Sequence, residues 1–222
     1  MSVWAILVAA GRGERLGDER PKAFARLGGR VLLAESLERL DGSGWVDAIV
    51  VVAPAGWEEP VIVLAEQLAA GKVTAAVTGG ATRADSVRAG LAELPDDADV
   101  VLVHDAARPL VSDEVVERVL RPLADAYDGA VPALPVADTV KRVAGGAVVE
   151  TLDRTELVAV QTPQAFPVAT LRRALAGDES AGATDCSSAV ERAGGRVRVV
   201  EGDPRLLKIT TPADLALVES WL

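Results

Sequence analysis

The residues best suited to chemistry in this chain fall in four short stretches, three of which directly follow a valine- or isoleucine-rich run. The first is Ala9-Ala10-Gly11-Arg12-Gly13-Glu14-Arg15-Leu16, running on to Pro21-Lys22. Gly11 and Gly13 allow a turn with exposed backbone N–H groups, which is how phosphates are cradled. Arg12, Arg15, Arg20 and Lys22 stand close behind. The loop is not a dinucleotide fingerprint, because Leu16 occupies the third glycine position of GxGxxG, and it lacks the Gly-Lys-Ser/Thr of a Walker A loop. The plain alternative is a tight turn with solvated charges.

The second stretch is Gly79-Gly80-Ala81-Thr82-Arg83-Ala84-Asp85-Ser86-Val87. Thr82 and Asp85 read as a helix capping box, while the glycines permit close approach of a flat ligand that Arg83 and Ser86 could face. In the third, His104-Asp105-Ala106-Ala107-Arg108-Pro109, a carboxylate at a strand end is followed by an arginine. Asp105 suits Mg²⁺ as a hard oxygen ligand, with a helix or turn cap as the alternative, and Arg108 suits a phosphate in bidentate fashion. Side chains alternate along a strand, so His104 points away from Asp105 and reads as a packed residue. The fourth, Leu207-Lys208-Ile209-Thr210, sets one cation among apolar neighbours. Such a lysine is expensive unless paired, which points to an anionic ligand, or else its stem carries the charge to water.

These stretches need a frame. Strands are expected at Val3–Ala9, Ala48–Val52, Val73–Val77, Val100–His104, Gly129–Ala133 and Val197–Glu201, as continuous apolar runs typical of parallel strands covered on both faces. Helices are expected at Leu32–Leu40, Glu58–Ala70, Ala84–Glu93 and Asp113–Ala126, the last interrupted by Pro122. A final helix starts at Thr211, with Pro212 in its first turn and Asp214 completing a capping box. The alternation gives one α/β domain over residues 1–222, a doubly wound and mostly parallel sheet whose ligands bind at the carboxyl ends of the strands. One segment departs from it. Around Gly145-Gly146, the runs Thr139–Val143 and Ala147–Thr151 predict a hairpin, part of an arm at about 137–158. A lone hairpin is marginal in water, so the arm is expected to lie on a second copy of the chain, an ordinary surface hairpin being the alternative.

Composition narrows the classes. Of 222 residues, 50% are apolar but only 3% aromatic, so the core is built from Ala, Val and Leu. The single Cys186 excludes an internal disulfide framework, and the single His104 excludes a histidine-rich metal cluster. The longest apolar runs are too short to span a bilayer, and the start has no signal-peptide pattern. A net charge of −10 argues against broad contact with nucleic acid or anionic membrane. The expectation is a soluble cytoplasmic protein that handles anions in a locally basic pocket.

Taken in order, the stretches resemble the 2-C-methyl-D-erythritol 4-phosphate cytidylyltransferase family. The matching residues are Ala9-Ala10-Gly11, Arg15, Pro21-Lys22, Gly79-Gly80, Arg83, Ser86-Val87 and His104 to Pro109. They continue with Asp138-Thr139-Val140-Lys141, Asp153-Arg154, Thr162-Pro163-Gln164 and Lys208-Ile209-Thr210. The resemblance implies a Rossmann-like nucleotidyltransferase fold and a reaction of CTP with a polyol phosphate that releases pyrophosphate, assisted by Mg²⁺. It implies catalytic roles for Arg15, Lys22 and Lys208, and nucleotide binding by Ala10, Gly11, Gly13, Gly80, Arg83 and Ser86. Acceptor binding falls to Asp105, Ala106, Arg108, Thr139, Arg154 and Thr162, with Asp105 also at the metal. Thr139 and Arg154 lie in the arm and would reach a neighbouring subunit, which implies a homodimer. The acceptor could be ribitol 5-phosphate instead, or the chain a non-catalytic dimeric nucleotide binder. Thr184-Asp185-Cys186-Ser187-Ser188 departs from the family, whose members often carry an acidic residue after Thr-Asp; Cys186 reads as a packing residue.

Overall fold

The parallel strands place their carboxyl ends side by side. In a computed structural model describing residues 1–11, 20–177 and 183–222, an eight-stranded sheet forms the centre. Its strands and the small ones beside it are β1 (Val3–Val8), β2 (Arg26–Leu27), β3 (Arg30–Val31), β4 (Ala48–Ala53), β5 (Val73–Thr78) and β6 (Val100–Asp105). They continue as β7 (Gly129–Pro135), β8 (Lys141–Ala144), β9 (Ala147–Thr151), β10 (Val158–Val160), β11 (Gln164–Pro167) and β12 (Val197–Glu201). The helices are α1 (Leu32–Gly42), α2 (Glu58–Gln67), α3 (Arg83–Ala92), α4 (Asp113–Ala124), α5 (Val168–Ala176), α6 (Cys186–Arg192) and α7 (Pro212–Glu219).

β6, β1, β4 and β5 run parallel in that order. On the other side of β6 lie the antiparallel members that the expected, mostly parallel sheet leaves room for. There β11 is antiparallel to both β6 and β7, β10 continues along the same side of β7, and β12 covers its other side in parallel. β10 has three residues and β11 four, with Pro163 just before β11 and Pro167 at its end, so no apolar period marks them. The sheet is still mostly parallel and doubly wound.

Alternation along the strands divides the core between two faces. Ala5, Leu7, Ile49, Val51 and Leu102 pack with α1, α2 and α4, whereas Ile6, Val50, Val52, Val101 and Val103 pack with α3, α5 and α6. In β6 this rule sends His104 to the Leu102 side and Asp105 to the Val103 side. α4 reads through Pro122 for two residues and then stops, since the ring removes a helix hydrogen bond near an end where its loss matters least. Thr211 and Asp214 form the expected capping box.

The hairpin of β8 and β9 turns at Gly145 and Gly146, both with positive φ, as a two-residue turn of this twist requires. Both its strands are exposed along their length.

Candidate active site

Four loops converge at the carboxyl edge of β1, β5 and β6. Ala9 closes β1 onto β4 through its N–H to the Val52 carbonyl. Lys22 opens a short 3₁₀ turn, Lys22–Phe24, held by the buried Phe24 ring 4.3 Å from that of Trp57. After β5, Gly79 and Gly80 pass so close to other elements that a side chain would collide. A Cβ on Gly79 would stand 2.3 Å from Ala10 Cβ, and one on Gly80 would stand 2.2 Å from Asp85 Cβ. The Thr82–Asp85 capping box then starts α3 with Arg83 in its first turn. Across the site, the Ile209 N–H bonds the Ala107 carbonyl at 2.9 Å, which sets Lys208 beside the end of β6.

Asp105 is where these loops meet. Its Oδ1 accepts from Arg83 Nε at 3.1 Å, with Nη2 also 3.1 Å away, and its Oδ2 accepts from Lys208 Nζ at 2.8 Å. Burial pushes the carboxyl up, but Arg83, Lys208 and Arg108 outweigh it and hold Asp105 well below the usual carboxylate range. Lys208, for which the sequence suggested an anionic ligand, is paired here with the protein's own Asp105. Burial disfavours the Arg83 charge, yet Cys186 and Asp105 more than offset it and raise its pKa. Cys186 is buried, its Sγ accepts from Arg83 Nη1 at 3.2 Å, and burial pushes its thiol up. The thiol supports the guanidinium and is no nucleophile.

Two cavities share Arg83, Asp105 and Lys208 in their walls. The larger, about 600 Å³, is lined by Ala10, Gly11, Lys22, Gly80, Ser86 and Ala106 among others. The smaller, about 240 Å³, adds Arg108, Thr162, Gln164 and Asp185. Arg108 is steered by Nη1 donating to the Leu206 carbonyl at 2.6 Å and Nη2 to that of Val160 at 3.4 Å; burial lowers its pKa. Ser86 lines the larger cavity, but its hydroxyl donates to the Thr82 carbonyl and accepts from the Gly80 N–H.

The structure thus brings together Lys22, Lys208, Ala10, Gly11, Gly80, Arg83, Ser86, Asp105, Ala106, Arg108 and Thr162. Arg15 and Gly13 lie outside the described residues. Thr139 and Arg154 are exposed on the arm and line neither cavity; Arg154 donates to the Ala137 carbonyl. Sequence reasoning gave no role to Gln164 or Asp185. Gln164 donates to Asp185 at 2.6 Å, and Asp185 caps α6. The signals were Gln164's place after Thr162-Pro163 and Asp185's place in the Thr184-Asp185 run.

A family model described as 2-C-methyl-D-erythritol 4-phosphate cytidylyltransferase matches residues 3–222. The protein of that name from Nocardia farcinica is 49% identical over 222 residues, covering 100% of this chain and 94% of its own. Its counterpart from Rhodococcus jostii is 48% identical over 219 residues, with 98% and 94% covered. The crystal structure of the Thermus thermophilus enzyme superposes with a TM-score of 0.78 at 38% identity, covering 100% of this chain and 98% of that one. Matched by that family model over residues 3–222 and by full-length relatives at 48% and 49% identity, this chain belongs to the 2-C-methyl-D-erythritol 4-phosphate cytidylyltransferase family.

Proposed function

We propose that this chain joins CTP to 2-C-methyl-D-erythritol 4-phosphate, giving the CDP-linked methylerythritol and pyrophosphate for the nonmevalonate route to isoprenoid precursors, with CTP in the larger cavity and the acceptor in the smaller. The observation that carries this reading is the wall common to both cavities, formed by Arg83, Asp105 and Lys208. Two bound phosphates would meet there, beside cations held in place.

The acceptor phosphate is already an anionic nucleophile, so no serine- or histidine-type activation is needed. The obstacle is repulsion between that anion and the α-phosphate it attacks. In this reading Lys22 offsets charge on the triphosphate, Lys208 serves the α-phosphate, and Arg108 takes the acceptor phosphate. The work is positioning and charge neutralisation. Gly80 lines the larger cavity, where a flat base could lie against its backbone.

A divalent cation fits this donor set as a shared ligand of protein and nucleotide. Asp105 is ionised and faces the larger cavity, and one carboxylate with phosphate oxygens and waters is a usual Mg²⁺ environment. No group of three or more His, Cys, Asp or Glu among the described residues could hold a metal by itself. When bound, Mg²⁺ would neutralise triphosphate charge. Lys208, whose side chain is 43% exposed, is free to turn toward a phosphate when Asp105 takes the ion.

We also propose that the chain works as a homodimer in the cytoplasm. Val143, Val148 and Val149 of the hairpin are each more than half exposed, an apolar surface that calls for cover, and a second copy would bring Thr139 and Arg154 to its partner's acceptor. The test is pyrophosphate release from each of four nucleoside triphosphates with methylerythritol phosphate or ribitol 5-phosphate, with Mg²⁺ present and then chelated. Release with CTP, methylerythritol phosphate and Mg²⁺ alone is expected. Equal or better use of ribitol phosphate would overturn the acceptor, and undiminished release without the metal would remove Mg²⁺.

A further inference from the structure

We infer that Thr162 and His104 act as a positioning pair, in which the Thr162 hydroxyl spends its proton on the histidine and holds the Asp105–Arg108 turn instead of donating to the acceptor. The inference rests on the reading that Asp105 and Arg108 flank the acceptor phosphate. A threonine hydroxyl has one O–H and two lone pairs. One lone pair of Thr162 Oγ1 accepts the Asp105 N–H at 3.1 Å, and His104 Nδ1 stands 3.1 Å from the same oxygen.

The far side of the ring decides which of these two donates. His104 Nε2 lies 3.0 Å from the Arg108 carbonyl, which can only accept, so Nε2 carries the hydrogen. His104 is fully buried, which favours the neutral ring. Nδ1 is then bare and must accept from Thr162. The bonds run from the Asp105 N–H to the Thr162 hydroxyl and on to Nδ1. They resume from Nε2–H to the Arg108 carbonyl, and the Arg108 N–H closes the circuit on the Asp105 carbonyl at 2.9 Å.

What remains to Thr162 is one lone pair. It can accept from a polyol hydroxyl at the wall of the smaller cavity, but it cannot donate to a phosphate oxygen. His104 touches neither cavity, so it acts only through the residues it bonds. The two side chains fix the separation of Asp105 and Arg108, the groups on either side of the turn.

His104 is the chain's single histidine, so ¹⁵N labelling of histidine yields one pair of ring resonances. Near neutral pH, Nε2 is expected to be protonated and Nδ1 bare but hydrogen-bonded. The isosteric Thr162→Val should shift the Nδ1 resonance toward that of a free bare nitrogen, and Thr162→Ser should restore it. In steady-state kinetics Thr162→Val should lower kcat/KM for the acceptor about ten- to a hundredfold, as loss of an orienting hydrogen bond does around other sites, with Thr162→Ser recovering most of it. A protonated Nδ1, an Nδ1 resonance unmoved in Thr162→Val, or full activity of that variant would overturn the pair. If wild-type protein fails to use the acceptor, the assigned reaction falls, while the resonances still decide the role of Thr162.

Discussion

Lys208 Nζ lies 2.8 Å from Asp105 Oδ2 across 103 residues of sequence, and Arg83 holds the other oxygen of the same carboxylate. The two cations differ in burial, and that difference separates the effects of losing each partner. Asp105→Asn leaves Arg83 uncompensated in a mostly buried place and should cost about 3 kcal/mol of stability. Lys208→Ala removes the more exposed partner and should cost about 1 kcal/mol or less, yet abolish most turnover. Urea unfolding and pyrophosphate release on both variants check this. Equal stability losses would contradict the assignment of Arg83 as the dependent cation.

Close approach at the second loop gives a steric prediction. A methyl on Gly79 meets Ala10 Cβ at 2.3 Å, so Gly79→Ala must push the β1 and β5 loops apart. The expected result is a loss of about 1–3 kcal/mol together with a raised KM for CTP. Gly29→Ala, where the added carbon meets nothing within 4 Å but φ is positive, should cost stability without changing that KM.

His104 supplies a pH dependence. Burial, the largest influence, takes its pKa from 6.5 down to about 4, against a smaller opposing pull from its bond to the Arg108 carbonyl. The unfolded chain therefore takes up the proton first as pH falls. The neutral ring's contribution is complete above about 6.5 and is lost as pH falls toward 4. Between about pH 7 and pH 5 the loss should reach about 2 kcal/mol. Urea titrations at both values would show it, and His104→Gln should flatten the slope. An unchanged slope in that variant would assign it to other groups.

How much of this could be read from sequence differs by element. The long strands were legible because unbroken valine runs can only be covered on both faces, and the carboxyl-end rule then led to Gly80, Asp105 and Arg108. β10 and β11 were not, because three- and four-residue segments interrupted by Pro163 have no period to detect. α5 and α6 were not read either: at nine and seven residues they are too short for an apolar stripe to stand out. The placement of Lys208 was half legible: its need for an anion followed from its neighbours, but the choice of Asp105 comes from packing far along the chain. The commitment of the Thr162 hydroxyl depends on which ring nitrogen carries a proton, and no residue spacing encodes that.

The arm gives a prediction about assembly. Val143 stands opposite Val148 across the hairpin, and both are exposed. Val143→Asp with Val148→Asp should shift sedimentation from dimer toward monomer without unfolding the sheet, which the hairpin does not join. Arg154→Ala should raise KM for the acceptor while leaving KM for CTP near its wild-type value. At acceptor concentrations well below the KM of Arg154→Ala, mixed dimers of Arg154→Ala with Lys208→Ala should exceed the activity of either variant alone. No recovery in the mixture would argue against an arm that works on its neighbour.

The central claim is that a few fixed cations in an acidic protein let two phosphate anions meet. Single-turnover pyrophosphate release by Lys22→Ala, with CTP and methylerythritol phosphate at saturation, tests it most directly. The expected result is a rate lower by about 10²–10³, the effect of losing one preorganised donor to developing charge, with CTP binding much less affected. A rate within severalfold of wild type would contradict the account.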